Sequence, residues 1–502
     1  MTLKIGRIAL SGVLALAFVL PLNATPHRRS SRRARASVAV AAPATTLRGA
    51  LERAALGAPA PRQGVSIAVA ELETGESVFE RNADTPETIA SVTKLLSSAA
   101  ALHYLGPNYK FKTTFWRRGD IYERNLNGSL LVVGGGDPNI SGRFYDDDSF
   151  AVFDKWAEGL RQAGVVRVSG DLILNASGFD GIYRHPDWPA DRDSRWYQAP
   201  VSALSYNDNC VVVSVGRGGM PGAPASIAID PNLDVVQALS RARTIGKAGK
   251  IRVVVARPSG SDVLTVSGTV PSRYFRWAVP MAIDDPPKFF GAALRSRLRA
   301  AGVEVVGNVV EKAVKPDNAW LLVASTETDL MPTMAIANKR SQSFYAEQIF
   351  KTLAYEKLGR GTWEGALTLE KDFLSQVGLD PVRYDIHDGS GLSANDRVAA
   401  VDLVRFLEAM DKHPDGATWR STLAVSGEPE GSLRHRLLDS LTRGQVQAKT
   451  GTLNGVSTLA GYARAVSGKT YAFAVLLNGS AVSEARGHAY QDRLVRALVA
   501  RG

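Results

Sequence analysis

Ser91-Val92-Thr93-Lys94 opens a run that is rich in Ala and Leu and contains neither Gly nor Pro before Gly106-Pro107. This composition predicts a buried helix from Ser91 to Leu105 that ends at the glycine. Residues i and i+3 share one face of a helix, so the hydroxyl of Ser91 and the amine of Lys94 can meet. A serine hydroxyl becomes a nucleophile once a base takes its proton, and burial can neutralise a lysine amine for that task. The tetrapeptide therefore predicts a nucleophile and its base at the start of one helix.

A second motif, Lys449-Thr450-Gly451-Thr452, lies far downstream in a stretch from Gln445 to Thr452 that predicts a strand. A cation and hydroxyls on a strand edge can bind a carboxylate, and the glycine lets the backbone approach a ligand closely. Either motif alone is weak, because such short patterns also occur by chance. Their combination in one chain is more informative.

One class of serine enzymes carries three elements in the order S-x-x-K, S-x-N and K-T-G. The chain has the first at Ser91 and the last at Lys449, and it resembles the D-Ala-D-Ala carboxypeptidase/endopeptidase family, the low-molecular-mass class C penicillin-binding proteins. Segments at 136–138, 202–207 and 388–393 are also similar to that family. The resemblance implies an α/β (α+β) fold of the penicillin-binding/serine β-lactamase-like transpeptidase type. A large β-rich insertion, forming one or two extra lobes, would split this domain.

The middle element departs from the family pattern. Ser341-Gln342-Ser343 is similar to S-x-N, but Ser343 stands where the family has asparagine. A hydroxyl offers one donor, whereas an amide offers two donors and a carbonyl acceptor. We expect this change to weaken the activity or to alter the substrate. The literal S-x-N at 205–207 is set aside because it falls inside the β-rich block.

The resemblance assigns catalytic roles to Ser91, Lys94, Ser341 and Lys449, and substrate binding to Ser343, Thr450, Gly451 and Thr452. Ser91 would attack the penultimate D-alanine of a peptidoglycan stem peptide, Lys94 would accept its proton, and Ser341 would pass a proton to the leaving amine. β-Lactam antibiotics would acylate the same serine as covalent inhibitors. No metal and no cofactor are expected, since the seven histidines show no metal-ligand spacing.

The order of predicted elements divides the chain into several parts. Residues 44–114 and 326–502 would form the split catalytic domain, and 115–325 the inserted module. Short strands dominate the module, with one predicted helix from Lys288 to Ala301. Helices are predicted after residue 326, at 344–358, 365–377 and 398–410, followed by two strands and a helix from Ser483 to Val499.

The N-terminus predicts export. Lys4 and Arg7 precede an apolar run from Ile8 to Leu22, which is typical of a signal peptide over residues 1–24. Residues 25–43 are rich in Arg, Ser, Ala and Pro and predict a flexible basic linker. Most of the formal net charge of +11 lies in these two segments, so no nucleic-acid partner is expected. We expect a protein secreted across the inner membrane into the periplasm or cell-wall space.

Two alternatives stay open, and the oligomeric state is unknown. The change at Ser343 is compatible with a catalytically impaired homologue that only binds wall peptides or partners. A β-lactamase or esterase on the same domain would also use S-x-x-K and K-T-G, although the long insertion argues against it. The sequence does not decide between carboxypeptidase and endopeptidase action.

Overall fold

The computed structural model describes residues 46–192 and 194–502. The predicted signal peptide (1–24) and basic linker (25–43) lie outside the described residues. The helices are α1 (Leu47–Ala54), α2 (Lys94–Leu105), α3 (Ala151–Gln162), α4 (Pro286–Ala300), α5 (Leu330–Lys339), α6 (Ser343–Leu358), α7 (Trp363–Gln376), α8 (Ala400–Lys412), α9 (Gly416–Arg420) and α10 (Glu484–Arg501). Within this part of the chain, no helix has both the length and the hydropathy needed to cross a bilayer.

The strands, in chain order, are β1 (Val65–Glu71), β2 (Ser77–Arg81), β3 (Pro86–Thr88), β4 (Lys110–Tyr122), β5 (Asn125–Val133), β6 (Arg167–Val168), β7 (Leu172–Asn175), β8 (Cys210–Gly216), β9 (Ser226–Asp230), β10 (Gln237–Ser240), β11 (Arg243–Ile245), β12 (Arg252–Ala256), β13 (Val263–Pro271), β14 (Trp277–Ala282), β15 (Glu304–Val305), β16 (Val309–Glu311), β17 (Trp320–Asp329), β18 (Tyr384–Asp385), β19 (Arg397–Ala399), β20 (Ala424–Val425), β21 (Val446–Leu453), β22 (Val456–Arg464) and β23 (Thr470–Asn478).

A six-stranded antiparallel sheet in the order β2-β1-β23-β22-β21-β20 brings the two ends of the described chain together. One face packs on α1 and α10 through residues such as Leu51, Leu494 and Leu498. The other face packs on a helical layer that includes α2, α6 and α8. The three layers give the mixed α/β architecture that was predicted.

The strands that enter and leave the middle of the chain, β4 and β17, pair with each other in antiparallel register, from Lys110–Asp329 to Arg118–Trp320. They belong to a seven-stranded sheet with β5, β6, β7, β15 and β16. The α4 helix predicted at 288–301 is present at Pro286–Ala300, and its cap is the side chain of Asp285, which accepts from the backbone N–H of Lys288.

The expectation of a single helix between 115 and 325 was wrong, because α3 also lies there. Its buried residues Val152, Phe153, Trp156, Ala157 and Leu160 recur at the spacing of one helix face. They pack in the same core as the neighbouring strands. The abundance of short strands around this segment obscured a periodic pattern that the sequence does contain.

The 210–282 segment forms two small sheets, one of β14-β8-β9 and one of β10 to β13. Its two ends are adjacent, because Cys210 on β8 pairs with Ala282 on β14. Cys210 itself is buried, as expected for a structural thiol, and burial raises its pKa far above the ordinary value.

Candidate active site

The first turn of the predicted nucleophile helix is a tight 3₁₀ turn, Ala90–Thr93, and the α-helix begins at Lys94. Ala90 adopts the left-handed conformation, with φ 48°, which turns the chain sharply into Ser91. Contacts from distant segments hold this turn. The Oγ1 of Thr458 donates to the carbonyl of Ile89 at 2.8 Å, and that of Thr93 donates to Asp396 Oδ2 at 2.8 Å.

The amine of Lys94 is fully buried and makes three polar contacts. Its Nζ lies 3.0 Å from Ser91 Oγ, 3.3 Å from Ser343 Oγ and 2.5 Å from the carbonyl oxygen of Ser390. Burial lowers the pKa of Lys94 to about 8, although the nearby acidic groups of Asp388, Glu347 and Asp396 oppose that shift when they are ionised. An amine with this pKa has a substantial neutral fraction near neutral pH, and its neutral form can accept the proton of Ser91.

Lys449 lies on β21, as the sequence predicted, and its Nζ contacts Ser341 Oγ at 2.7 Å. Burial, together with the nearby charge of Lys94, holds the pKa of Lys449 well below its usual range. Ser341 adopts φ 57° in the short connection between α5 and α6, so its hydroxyl can reach β21. Two lysines and two serines from three separate stretches of sequence thus meet at one site.

Ser343 is the first residue of α6, and its buried hydroxyl faces Lys94. The structure therefore places it beside Lys94. The Ser343 hydroxyl is one of three polar partners of Lys94. The shortest of the three contacts is the one to the backbone carbonyl of Ser390. The change at Ser343 leaves the lysine with a full set of partners in the described structure.

The strand that carries Lys449 runs directly alongside the nucleophile turn. A Cβ on Gly451 would lie 2.6 Å from the carbonyl oxygen of Ile89 and 3.1 Å from the amide nitrogen of Ser91, so only glycine fits there. Thr450 is buried and Thr452 is exposed. Successive residues of a strand point to opposite faces, so Thr450 and Thr452 share one face. On the other face, the missing side chain of Gly451 lets the strand approach Ile89 and Ser91 closely.

A further loop, Asp388–Ser393, packs against the Ala90–Thr93 turn and contacts Lys94. The sequence singled out this loop only by family similarity. Asp388 accepts four hydrogen bonds: from the backbone N–H groups of Ser390, Gly391 and Ser393, and from the indole Nε1 of Trp188 at 2.8 Å. These bonds fix the Ser390 carbonyl that contacts Lys94. Gly391 packs so closely that a Cβ there would lie 2.0 Å from the carbonyl oxygen of Ala90.

Trp188 comes from the part of the chain between β4 and β17, so a residue far from the motifs in sequence braces the loop beside Lys94. It is buried and its ring packs edge-on against Trp363 of α7. Sequence reasoning gave no site role to Trp188 or Asp388. The only signal for them was the similarity of 388–393 to a family segment, and nothing in the sequence connected the two positions.

Glu347, one turn into α6, is a second buried acid that the sequence did not single out. Its Oε2 accepts from the indole of Trp363 at 2.7 Å and from the backbone N–H of Gly389 at 3.1 Å. Its Oε1 is buried beside the hydroxyl of Ser390. Burial, with the nearby Asp388, raises the pKa of Glu347 to about 8, so this group holds its proton at neutral pH.

Comparison with known proteins agrees with this geometry. A D-alanyl-D-alanine carboxypeptidase from an Actinomadura species is 31% identical over 441 residues, which is 84% of this chain and 79% of that protein. D-alanyl-D-alanine carboxypeptidase DacB of Haemophilus influenzae is 24% identical over 439 residues, 86% of this chain and 89% of its own length. The crystal structure of penicillin binding protein 4 (dacB) from H. influenzae superimposes with a TM-score of 0.77 at 22% identity, over 89% of this chain and 98% of that one. The predicted fold type is thereby confirmed.

A family model spans almost every described element, from α1 to α10. It is that of the D-Ala-D-Ala carboxypeptidase 3 (S13) family, and it matches residues 47–500. The chain belongs to this family of peptidases, as its S-x-x-K and K-T-G motifs predicted.

Proposed function

We propose that the protein is a serine D-alanyl-D-alanine carboxypeptidase/endopeptidase that acts on peptidoglycan stem peptides through an acyl-enzyme. The observation that carries this proposal is the convergence of Ser91, Lys94 and Lys449, with Lys94 and Lys449 both buried and joined to serine hydroxyls at 3.0 and 2.7 Å. Membership of the carboxypeptidase family supports the same reaction class.

In the first step, neutral Lys94 takes the proton of Ser91 Oγ as this oxygen bonds to the carbonyl carbon of the penultimate D-alanine. The negative charge that develops on the carbonyl oxygen is stabilised by the backbone N–H groups of Ser91, within the 3₁₀ turn, and of Thr452, on β21. Ser341 relays to the leaving amine the proton that Lys94 took, so Lys94 is neutral again, and the C–N bond breaks to leave an ester on Ser91. Its 2.7 Å contact with Lys449 supports this role.

In the second step, water attacks the ester, Lys94 accepts a proton from it, and Ser91 regains its own. Thr450 and Thr452 hold the terminal carboxylate of the substrate, with Lys449 supplying positive charge on the same strand. Ser343 and Gly451 shape the substrate side of the pocket. β-Lactams are proposed to acylate Ser91, and a solved complex of the H. influenzae relative with a β-lactam, with a TM-score of 0.72 at 22% identity over 90% of this chain and 98% of that one, supports this class of ligand.

The test is to incubate the purified protein with a labelled penicillin and to map the adduct by mass spectrometry. We expect one adduct on the peptide that contains Ser91, and none in Ser91→Ala. Digestion of muropeptides by the same two proteins separates carboxypeptidase products, which lose D-alanine, from endopeptidase products, which lose a cross-link. An adduct that persists in Ser91→Ala would refute the proposed nucleophile.

A second candidate is a catalytically impaired homologue that binds wall peptides or partners, and the serine at 343 favours it. Ser343→Asn should then raise muropeptide turnover at least tenfold, because the amide restores two donors and an acceptor beside Lys94. Rapid digestion by the unmodified protein would exclude this candidate. Rapid release of the penicillin label with little action on D-Ala-D-Ala would instead favour a β-lactamase.

We also propose that the protein is exported to the periplasm or cell-wall space by its N-terminal segment. The motivation is the basic start and apolar run over residues 1–24. N-terminal sequencing of the mature protein from fractionated cells tests this. A cytoplasmic protein that retains Met1 would contradict it.

A further inference from the structure

The 210–282 segment has an unusual charge. It contains nine Lys and Arg residues against three Asp and no Glu, whereas residues 46–209 and 283–502 together carry 44 basic and 46 acidic residues. Among residues 46–502, the excess of positive charge is therefore concentrated in this one segment. It lies outside the pocket that holds Ser91.

Most of these cations gather at the end of the segment that lies away from its paired chain ends. The loops that follow β8 and precede β14 meet there, since the backbone N–H of Arg217 donates to the carbonyl of Tyr274. Six exposed side chains share this end, and we call them the basic tip: Arg217, Arg243, Lys247, Lys250, Arg252 and Arg273.

Strand register brings members of the basic tip side by side. Arg243 on β11 and Arg252 on β12 both pair with Thr269 of the central strand β13, one on each side. Neighbouring strands are about 4.8 Å apart, so these two Cα atoms lie roughly 10 Å from each other on one exposed face. The side chain of Arg273 bonds to the carbonyl of Lys247, which holds the adjacent turn against the same end.

No acid neutralises the basic tip. None of its six side chains forms an ion pair with any residue among 46–192 and 194–502. Asp262 precedes the opposite end of β13, roughly 25 Å away at about 3.3 Å per residue, and it is paired with Lys288. Arg276 is left out of the cluster because it shares a groove with Asp230.

Two large apolar side chains protrude beside these cations. Phe275 is 78% exposed and Met220 is 69% exposed. The guanidinium of Arg217 stacks over the ring of Phe275, with 4.6 Å between the Cζ atom and the ring centroid. Exposed aromatic and apolar side chains among unpaired cations are typical of surfaces that lie in the headgroup region of an anionic bilayer.

We propose that the basic tip docks on an anionic lipid bilayer, with Phe275 and Met220 entering the headgroup region. A soluble polyanion would satisfy the cations but would leave these two side chains in water, and for this reason a lipid surface is the better match. The proposal does not depend on the reaction at Ser91. Its role would be to hold the peptidase beside the membrane while its pocket faces wall peptides.

The test uses the full chain with a solvatochromic dye on Met220→Cys, since the native thiol, Cys210, is buried. A second label on Val382→Cys, 87% exposed in the stretch before β18, is the matched control. Vesicles of phosphatidylglycerol and phosphatidylcholine should shift the emission of the dye at 220 to the blue, and vesicles of phosphatidylcholine alone should not. The dye at 382 should stay unchanged with both. Because each label reports its own surroundings, membrane binding by the N-terminal segment does not mimic the result.

Charge removal gives a second measurement. Each cation near an anionic surface strengthens binding roughly fivefold, so Lys247→Gln, Lys250→Gln and Arg252→Gln together should raise the lipid concentration for half-maximal shift at least tenfold. The control triple is Lys312→Gln, Lys357→Gln and Arg360→Gln, three exposed cations elsewhere, and it should change this value less than twofold. The proposal is overturned if anionic vesicles leave the dye at 220 unchanged. An equal response of the two triples, or a response to soluble polyphosphate but not to vesicles, overturns it as well.

Discussion

Trp188→Phe tests whether the part of the chain between β4 and β17 contributes to the proposed chemistry at Ser91. The substitution keeps an aromatic ring but removes the indole N–H that donates to Asp388 Oδ2 at 2.8 Å. Asp388 then keeps only its three backbone donors. Because the Ser390 carbonyl that contacts Lys94 is held by this same carboxylate, we expect the base to lose part of its positioning.

The size of the effect follows from the hydrogen bond that is lost. A hydrogen bond to a buried charged group contributes about 1.5–3 kcal/mol, so the free energy of unfolding should fall by about this amount. If the whole loss reaches the transition state, the acylation rate falls by about 10-fold to 150-fold, at about 1.36 kcal/mol per factor of ten. If only part of the lost hydrogen-bond energy reaches the transition state, the acylation rate falls by less, so this range is an upper bound.

The assay is the second-order rate of acylation by a fluorescent penicillin, measured beside the thermal unfolding midpoint. Trp277→Phe, in the 210–282 segment, is the control, because it removes a half-buried indole with no hydrogen bond in the described structure. We expect the control to keep its acylation rate. A Trp188→Phe protein that unfolds earlier but is acylated at the original rate would refute the coupling between this brace and Lys94.

Three further outcomes are expected. The acylation rate should rise about tenfold per pH unit towards a plateau above pH 8, because Lys94, with a pKa lowered to about 8, is a base only when neutral; a rate independent of pH from 6 to 9 would contradict this. Gly391→Ala should abolish penicillin labelling, because its Cβ would lie 2.0 Å from the carbonyl oxygen of Ala90. The control is Gly378→Ala, at a glycine with a similar φ of 80° but with open space around it. The control should lose about 1 kcal/mol of stability and keep its activity. Glu347, whose pKa is raised to about 8 from 4.5, stabilises the fold fully below pH 4.5 and loses that contribution as the pH rises through 8. Glu347→Gln should therefore gain stability relative to the unmodified protein above pH 8 in denaturant titrations, and an unchanged difference between pH 5 and 9 would count against the assignment.

The parts of the site that the sequence predicted are those fixed by local geometry. Ser91 and Lys94 are three residues apart on one helix start, and this spacing alone brings hydroxyl and amine together. Lys449 was placed on a strand by its flanking residues, and β21 spans it. The contact between Lys449 and Ser341, in contrast, depends on the left-handed backbone conformation of Ser341. No pattern in the sequence predicts this conformation.

Other features lay beyond sequence reasoning because they join segments with no shared periodicity. The indole of Trp188 meets Asp388 across two hundred positions, and the packing of Trp188 on Trp363 of α7 helps to bring them together. The buried carboxylate of Glu347 reads in the sequence as an ordinary surface residue of a helix, yet all of α6 from Ser343 to Ala354 is enclosed. The helix α3 was missed for a different reason, since its apolar spacing was visible but was outweighed by the strands around it.

The pairing of β4 with β17 has an evolutionary consequence. Lys110 and Asp329 are direct neighbours across the two strands. The chain therefore leaves and re-enters the rest of the fold at adjacent points, and all residues between these two points occupy the place of a hairpin loop. An ancestor could have acquired, exchanged or enlarged this part of the chain without rerouting any other strand. Such an exchange could not freely replace the indole at 188, because each replacement would have had to supply its own support for the loop beside Ser91.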